Sequence, residues 1–229
     1  MIMNTSRIFE TQDGSHSIVS KEFGESYHSK YGAIQESRHV FIQAGLQVKA
    51  LASKSIHILE IGWGTGLNAF LSLLEAQDLG LSIQYTGVEA YPLTIEEALE
   101  LNYPKVLKCT PIQSQYFYEM HRLPWEAPHQ LTPQFSLTKI HQRFEDLDFI
   151  QAFDVIYFDA FAPSTQPELW EEPVLSIMYK ALKNSGVFVT YCAKGSMKRI
   201  LKNLGFSVEA VPGPPGKREM TRAFKLSEF

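Results

Sequence analysis

The run Glu60-Ile61-Gly62-Trp63-Gly64-Thr65-Gly66-Leu67-Asn68 limits the possible folds more than any other stretch of this chain. An apolar segment, Ile56 to Ile61, leads into it with the β-branched content of a buried strand. Leu67, Phe70, Leu71 and Leu74 leave it spaced along one face of a helix. Three glycines at alternate positions between a strand and a helix permit a tight turn and let a ligand approach bare backbone. A strand, a ligand-binding turn and a helix in that order are how a parallel sheet with helices on both faces begins.

The rest of the chain continues the alternation. Further β-rich runs are Ile83 to Val88, Phe153 to Phe158 and Val187 to Cys192. Thr94 and Glu97 have capping-box spacing and open a helix reaching about Leu101. Pro167 to Leu182 and Ser196 to Leu204 read as two more helices, the second ended by Gly205. The expected fold is α/β, a Rossmann-like, doubly wound and mostly parallel sheet over residues 51–229. Ahead of it, Ile18 to Phe23 reads as a hairpin strand and Ala33 to Ala50 as a helix, so residues 1–50 form a small N-terminal lid on the same domain. The stretch 111–135, with Pro124, Pro128 and Pro133 beside Tyr116, Phe117, Tyr118 and Trp125, is expected to be an irregular insertion. It reads either as an aromatic-anchored surface loop or as a wall of the substrate site.

Length and composition exclude several classes. A chain of 229 residues, 45% hydrophobic, can bury one sizeable core and favours a single domain. No apolar run approaches the roughly 20 residues of a membrane span, and no apolar leader follows Met1, so a soluble, cytoplasmic protein without a membrane partner is expected. Cys109 and Cys192 have no CxxC partner, which argues for neither a disulfide framework nor a metal site. The net charge of −4 conceals an asymmetry. Lys180 to Lys225 holds ten Lys or Arg with only Glu209 and Glu219, leaving 11 bases against 23 acids elsewhere. Such a basic quarter is either a solvated face or an electrostatic footprint for nucleic acid.

The glycine spacing bears on the ligand. G-x-G-x-G after Glu60 departs from the G-x-G-x-x-G of a dinucleotide site, where a helix end faces a pyrophosphate. S-adenosyl-L-methionine carries no phosphate and fits the departure, with Glu60, Gly62, Gly64, Gly66 and Asn68 forming its turn. Glu89 ends the next strand, where a carboxylate can accept from both ribose hydroxyls of this cofactor, or equally of NAD. Methyltransferases commonly end the third strand with an acid that holds the adenine amine. Here that stretch is Lys139-Ile140-His141-Gln142-Arg143, and Gln142 is the residue offering a carbonyl oxygen. Asp159-Ala160-Phe161-Ala162-Pro163 follows the strand Val155 to Phe158 and puts a carboxylate, an aromatic and a proline at the switch region beside the glycine turn. Asp159 is there either a reacting-centre carboxylate or a cap for the next helix. The arrangement resembles the Asn/Asp-Pro-Pro-aromatic signature of amine methyltransferases.

Taken together, the motifs resemble the methyltransferase part of the MnmC-type enzymes that modify the wobble uridine of tRNA. The likeness runs through Asp13-Gly14-Ser15, Tyr27-His28-Ser29, Glu36-Ser37-Arg38-His39-Val40-Phe41, the glycine turn, Asp159 to Pro163 with Pro167-Glu168-Leu169-Trp170, Ala193-Lys194-Gly195 and Gly213 to Met220. That family commonly has Phe where Trp63 stands. The resemblance implies a class I S-adenosylmethionine-dependent methyltransferase fold and N-methylation of 5-aminomethyl-2-thiouridine to 5-methylaminomethyl-2-thiouridine. It adds Tyr27 and Glu36 to the cofactor site and gives Asp159, Phe161 and Pro163 the reacting amine. Bifunctional members carry a second, FAD-dependent domain; this chain ends at Phe229, so the stand-alone form is expected, with other enzymes supplying the aminomethyl nucleoside. The tRNA anticodon stem-loop is then expected to meet Lys194, Lys198, Arg199, Lys217, Arg218 and Arg222, with Trp125 available to stack a splayed base. The competing readings are methylation of another small-molecule or protein amine, a non-catalytic tRNA-binding protein on the same fold, and a nicotinamide oxidoreductase.

Overall fold

The computed structural model describes residues 7–226. The N-terminal segment opens with a hairpin of β1 (Ile8–Glu10) and β2 (His16–Ile18), paired antiparallel. The strand expected from Ile18 to Phe23 therefore ends where it was to begin. The Ser20 hydroxyl accepts the backbone N–H groups of Glu22 and Phe23, and that turn competes with strand pairing. The helix expected over 33–50 is present as α1 (Ala33–Ser37), a wider π-helical stretch over Arg38–Leu46, and α2 (Gln47–Ala50), in unbroken succession. Ala33, Val40, Phe41 and Leu46 of this segment are buried against the core.

The core starts with β3 (Ser55–Ile61), followed by α3 (Leu67–Leu79) and β4 (Ser82–Glu89). Next come α4 (Ile95–Leu99), α5 (Tyr103–Val106) and α6 (Pro111–Arg122). The strands β5 (Pro128–Thr132) and β6 (Phe135–His141) are followed by a 3₁₀ turn at Phe144–Asp146 and by β7 (Phe153–Phe158). A 3₁₀ turn at Pro167–Trp170 precedes α7 (Glu172–Ala181), β8 (Leu182–Thr190) and α8 (Gly195–Asn203). The described chain closes with the hairpin of β9 (Phe206–Pro212) and β10 (Glu219–Lys225). Among the described residues no helix is long and apolar enough to cross a membrane.

Eight strands form one sheet in the order β5-β6-β4-β3-β7-β8-β10-β9. Strands β6, β4, β3, β7 and β8 are parallel, and β5, β10 and β9 run against their neighbours. β3 is buried on both faces: Ile56 and Ile58 join the cluster beneath α3 and the N-terminal helix, and Leu59 and Ile61 the cluster beneath α7. From β3 the chain winds outward to β4 and β6, then returns to β7 on β3's other side. That reversal opens a crevice at the C-terminal ends of β3 and β7, the place where open α/β sheets bind ligands.

Two expectations need correction. The stretch 111–135 is regular: Thr110 and Gln113 form a capping box, Pro111 occupies the first helical turn of α6, and Phe117 and Met120 face the core. Proline suits that position because its missing N–H would be unpaired there. Pro128 begins the edge strand β5, the other place a sheet tolerates it. The helix expected from Pro167 to Leu182 is divided, since Pro173 restarts it within the first turn of α7 and Leu182 already belongs to β8.

Candidate functional site

The glycine turn is shaped by close neighbours on each side. The N–H groups of Gly62 and Trp63 both donate to the Val88 carbonyl at 3.0 Å, which ties the turn to the end of β4. Gly62 has φ +89°, and a Cβ there would sit 2.6 Å from the Asp159 carbonyl oxygen. Gly64 has φ +49°, and a Cβ there would meet the Tyr27 ring at 2.8 Å. Both positions are thus closed to side chains by conformation and by space. Trp63 is 4% exposed, and its indole occupies the room left by the absent side chain of Gly87 on β4.

Three acids converge around this turn. Glu60 is fully buried, and Asn68 Nδ2 donates both to Glu60 Oε1 at 2.8 Å and to Asp159 Oδ2 at 2.9 Å. One side-chain amide therefore bridges the carboxyl groups at the ends of β3 and β7. Burial, and then the neighbouring Asp159, push the Glu60 carboxyl well above the ordinary range. Tyr85 lies beside Glu60 in the interior, and Asn68 Oδ1 is buried with no partner in hydrogen-bonding geometry. Desolvation, seconded by Glu36, raises Asp159 to about 7, against opposing contributions from Asn68 and Lys217. Glu89 accepts the Gly64 N–H at 2.9 Å and the Tyr91 N–H at 3.0 Å, one on each oxygen. Burial raises its carboxyl too, although those backbone bonds oppose the shift.

These elements surround a cavity of about 250 Å³. Phe161 forms one wall, with ring centroids 5.0 Å from Phe23 and 5.1 Å from Tyr27, and Tyr91 packs on Phe23 at 5.4 Å. The loop carrying Asp159 and Phe161 is pinned from outside: Tyr191 Oη donates to the Ala160 carbonyl and Trp170 Nε1 to the Phe161 carbonyl, both at 2.8 Å. The N-terminal segment supplies further lining residues, among them Ser29 and Glu36. Glu36 accepts the Ser29 N–H at 3.0 Å and the Lys217 ammonium at 2.7 Å, and that ammonium lies 3.9 Å over the Tyr191 ring. His28 also lines the cavity; its burial lowers the imidazole to about 4, so it is neutral at pH 7.

Of the residues the sequence singled out, Gly62, Gly64, Asn68, Glu89, Tyr27, Glu36, Asp159 and Phe161 line this one cavity. Glu60 lies beneath it, engaged through Asn68. Gly66 is the left-handed N-cap of α3, and a Cβ there would strike His121 at 2.9 Å. Pro163 is not among the lining residues, and neither is Gln142, whose side-chain N–H groups are directed to the Asp146 carbonyl at 2.8 Å. Among the basic residues, Lys198 pairs with Glu219, Arg222 with Glu209 and Lys217 with Glu36. Lys217 is therefore a cavity residue. Lys194, Arg199 and Arg218 are exposed and are not among the lining residues. Trp125 does not reach this cavity, and α6 forms none of its wall. Phe23, Tyr91 and Tyr191 belong to the site without having been picked out; only Tyr91 had a signal, lying two residues after Glu89.

A family model described as S-adenosyl-L-methionine-dependent methyltransferase matches residues 112–226. A protein of Marinomonas sp. (strain MWYL1), named tRNA 5-methylaminomethyl-2-thiouridine biosynthesis bifunctional protein MnmC, is 31% identical over 88% of this chain and 31% of its own length. One of the same name from Acinetobacter baylyi is 31% identical over 92% of this chain and 36% of its own length. The chain thus spans about a third of the curated relatives it matches. The crystal structure of MNMC2 from Aquifex aeolicus superposes with a TM-score of 0.77 at 26% identity, covering 99% of this chain and 72% of that one.

Proposed function

The chain belongs to the family of S-adenosyl-L-methionine-dependent methyltransferases, and from that premise we propose that it methylates the primary amine of 5-aminomethyl-2-thiouridine at the tRNA wobble position, giving 5-methylaminomethyl-2-thiouridine. The observation that carries this reading is the Asn68 bridge, which joins the glycine turn and the Asp159 strand end in one carboxylate-rich, aromatic-walled cavity.

The cavity suits the cofactor. Its glycines leave backbone bare where any Cβ would intrude, and Asn68 Oδ1, on a lining residue, is buried without a partner. Glu89 lines the cavity as a carboxylate at the end of β4, and a carboxylate there can accept ribose hydroxyls. Glu36, Glu89 and Asp159 face a space with one cation, Lys217, already paired. Such an excess of carboxylate favours a ligand that is positively charged at sulfur and a substrate that enters as an ammonium ion. When bound, the cofactor supplies a methyl group activated for displacement.

Asp159 orients the substrate amine toward that methyl and takes its proton. An amine with a pKa near that of lysine, roughly 10.4, costs about 4 to 5 kcal/mol to hold neutral at pH 7, and the desolvating walls of Phe23, Tyr27 and Phe161 lower that cost. The carbonyls of Ala160 and Phe161 are engaged by Tyr191 and Trp170, so the loop presents Asp159 in a fixed position. Phe161 lines the uracil and the transferred methyl. The anticodon stem-loop docks through Lys194, Arg199 and Arg218, which are exposed and take part in no ion pair among the described residues, and other tRNA-modifying enzymes supply the aminomethyl nucleoside. The test is nucleoside mass spectrometry of aminomethyl-bearing tRNA incubated with the protein and labelled cofactor. Label in the methylaminomethyl nucleoside is expected; an unconsumed aminomethyl nucleoside overturns the reading.

A further inference from the structure

A second cavity of about 250 Å³ lies behind the glycine turn and has no part in the methyl transfer. It shares only Trp63 and Gly64 with the first and is bounded otherwise by Leu93 to Ile95, Ala98, the segment 121–125 and Lys139. Lys139 projects from β6 and is 2% exposed. Its Nζ gives one hydrogen bond, to the His121 carbonyl at 3.0 Å, and among the described residues no ion pair includes it. No carboxylate lines the cavity.

A buried ammonium without a counter-ion is costly unless something else compensates it. Two aromatic rings do so in part: Nζ lies 4.9 Å from the Trp125 centroid and 5.9 Å from that of Trp63. Two N–H groups remain for a ligand. The His121 ring is buried in the same wall, and Arg122, also a lining residue, is exposed. Burial lowers Lys139 to about 8 and His121 to about 3, so at neutral pH the wall holds a charged amine beside a neutral imidazole. Cations, an aromatic face and no carboxylate are the requirements of a nucleotide: phosphate on the ammonium, base on the ring.

We propose that this cavity is a second nucleotide subsite, which binds an RNA nucleotide neighbouring the methylated one, with its phosphate on Lys139 and Arg122 and its base on Trp125. The inference rests on tRNA being the substrate. Trp63 and Gly64 line both cavities, and His141 at the end of β6 touches residues of each: its Nε2 is 3.2 Å from the carbonyl of Ala90, a lining residue of the first, and its ring is 5.9 Å from Trp125, a lining residue of the second. A strand that delivers one base to Asp159 can therefore lay an adjacent one on Trp125.

The experiment measures KM for aminomethyl-bearing tRNA and Kd for the cofactor in the parent, Trp125→Ala, Arg122→Ala and Lys139→Met proteins. Trp125→Ala should raise KM for tRNA about tenfold, as expected for one lost base stack, with cofactor affinity kept within about twofold. Arg122→Ala, at an exposed residue whose loss cannot disturb the core, should raise it in the same direction and keep the variant series informative if Lys139→Met folds poorly. UMP and inorganic phosphate, titrated against tryptophan fluorescence of the parent, separate the sources: UMP competing with the stem-loop supports an RNA subsite. UMP binding while neither Trp125→Ala nor Arg122→Ala moves KM for tRNA marks a free-nucleotide site and overturns the proposal. If the parent does not methylate tRNA, the proposed function fails; if it does and both variants keep the parental KM, this inference fails alone.

Discussion

Replacing Asn68 with Ala should shift the acidic limb of the rate profile to higher pH. Asn68 Nδ2 stands 2.9 Å from Asp159 Oδ2 and 2.8 Å from Glu60 Oε1, and its hydrogen bonds favour the ionised carboxyl. Hydrogen bonds to charged groups are worth about 1.5 to 3 kcal/mol, so the limb should rise by about one to two pH units from Asp159's starting point near 7. The neighbours fix the signs of two companion variants. Lys217 also favours the ionised form, so Lys217→Met should raise the limb; Glu36 opposes it, so Glu36→Gln should lower it. The assay is kcat/KM for transfer of labelled methyl from about pH 5 to pH 9, which reports ionisations of the free enzyme and substrate. The substrate amine titrates identically in every variant, so differences between profiles belong to the protein. Profiles that superimpose, or an Asn68→Ala limb displaced downward, would refute the assignment of Asp159 as proton acceptor.

Gly64→Asp should abolish cofactor binding by calorimetry, because φ is +49° and the new Cβ would lie 2.8 Å from the Tyr27 ring; strain of about 1 to 3 kcal/mol should appear as a lowered melting temperature. Parental affinity in that variant would contradict the role given to the turn. Asp159→Asn should be more stable than the parent at pH 8 and no more stable at pH 3.5. The folded carboxyl ionises at about 7 against 3.8 unfolded, so its penalty is absent below 3.8, grows as pH rises and is complete above about 7, reaching a few kcal/mol. Urea titrations at the two pH values giving equal differences would count against it. His28 predicts the opposite trend: held neutral with its ring near 4, it lends stability that is full above about pH 6.5 and is lost as pH falls toward 4. A His28→Gln protein whose urea midpoint still falls over that interval as the parent's does would exclude this source. Lys194→Glu with Arg218→Glu should raise KM for tRNA and flatten its dependence on salt, while leaving cofactor affinity alone. An unaltered salt slope would remove these two residues from the interface.

How far the fold could be read depended on which strands are buried on both faces. β3 and β7 lie inside the sheet and present near-continuous apolar runs, so their positions and the glycine turn between β3 and α3 are legible; β4 alternates polar and apolar residues and is recognised by its place between the α3 pattern and the Thr94–Glu97 capping box. β6, as Phe135-Ser136-Leu137-Thr138-Lys139-Ile140-His141, interleaves polar residues, one of them a lysine that the structure buries, and gives a weaker signal. β9 and β10 carry Glu209, Glu219, Arg222 and Lys225 in a hairpin at the sheet's far edge, where one face meets water. In the insertion, proline density resembles a loop, but Pro111 begins α6 behind the Thr110–Gln113 capping box and Pro128 begins the edge strand β5, so the same residue type marks where elements start.

The site was legible at its acids and glycines because those residues have few roles at strand ends, and illegible where an interaction joins distant segments. Lys217 shows why. In the sequence it belongs to a basic quarter, and charge density alone assigns it to phosphate. In the fold its ammonium crosses 181 positions of chain to Glu36, rests on Tyr191 and helps to set the ionisation of Asp159. Lys198 and Arg222 are likewise paired, with Glu219 and Glu209, the two acids that interrupt the basic quarter. Linear charge counts overstate the bases that can release counter-ions from RNA, because a cation already paired must give up its carboxylate to take a phosphate. Three of the six bases expected to meet tRNA are therefore engaged within the fold, one of them in the electrostatics of Asp159.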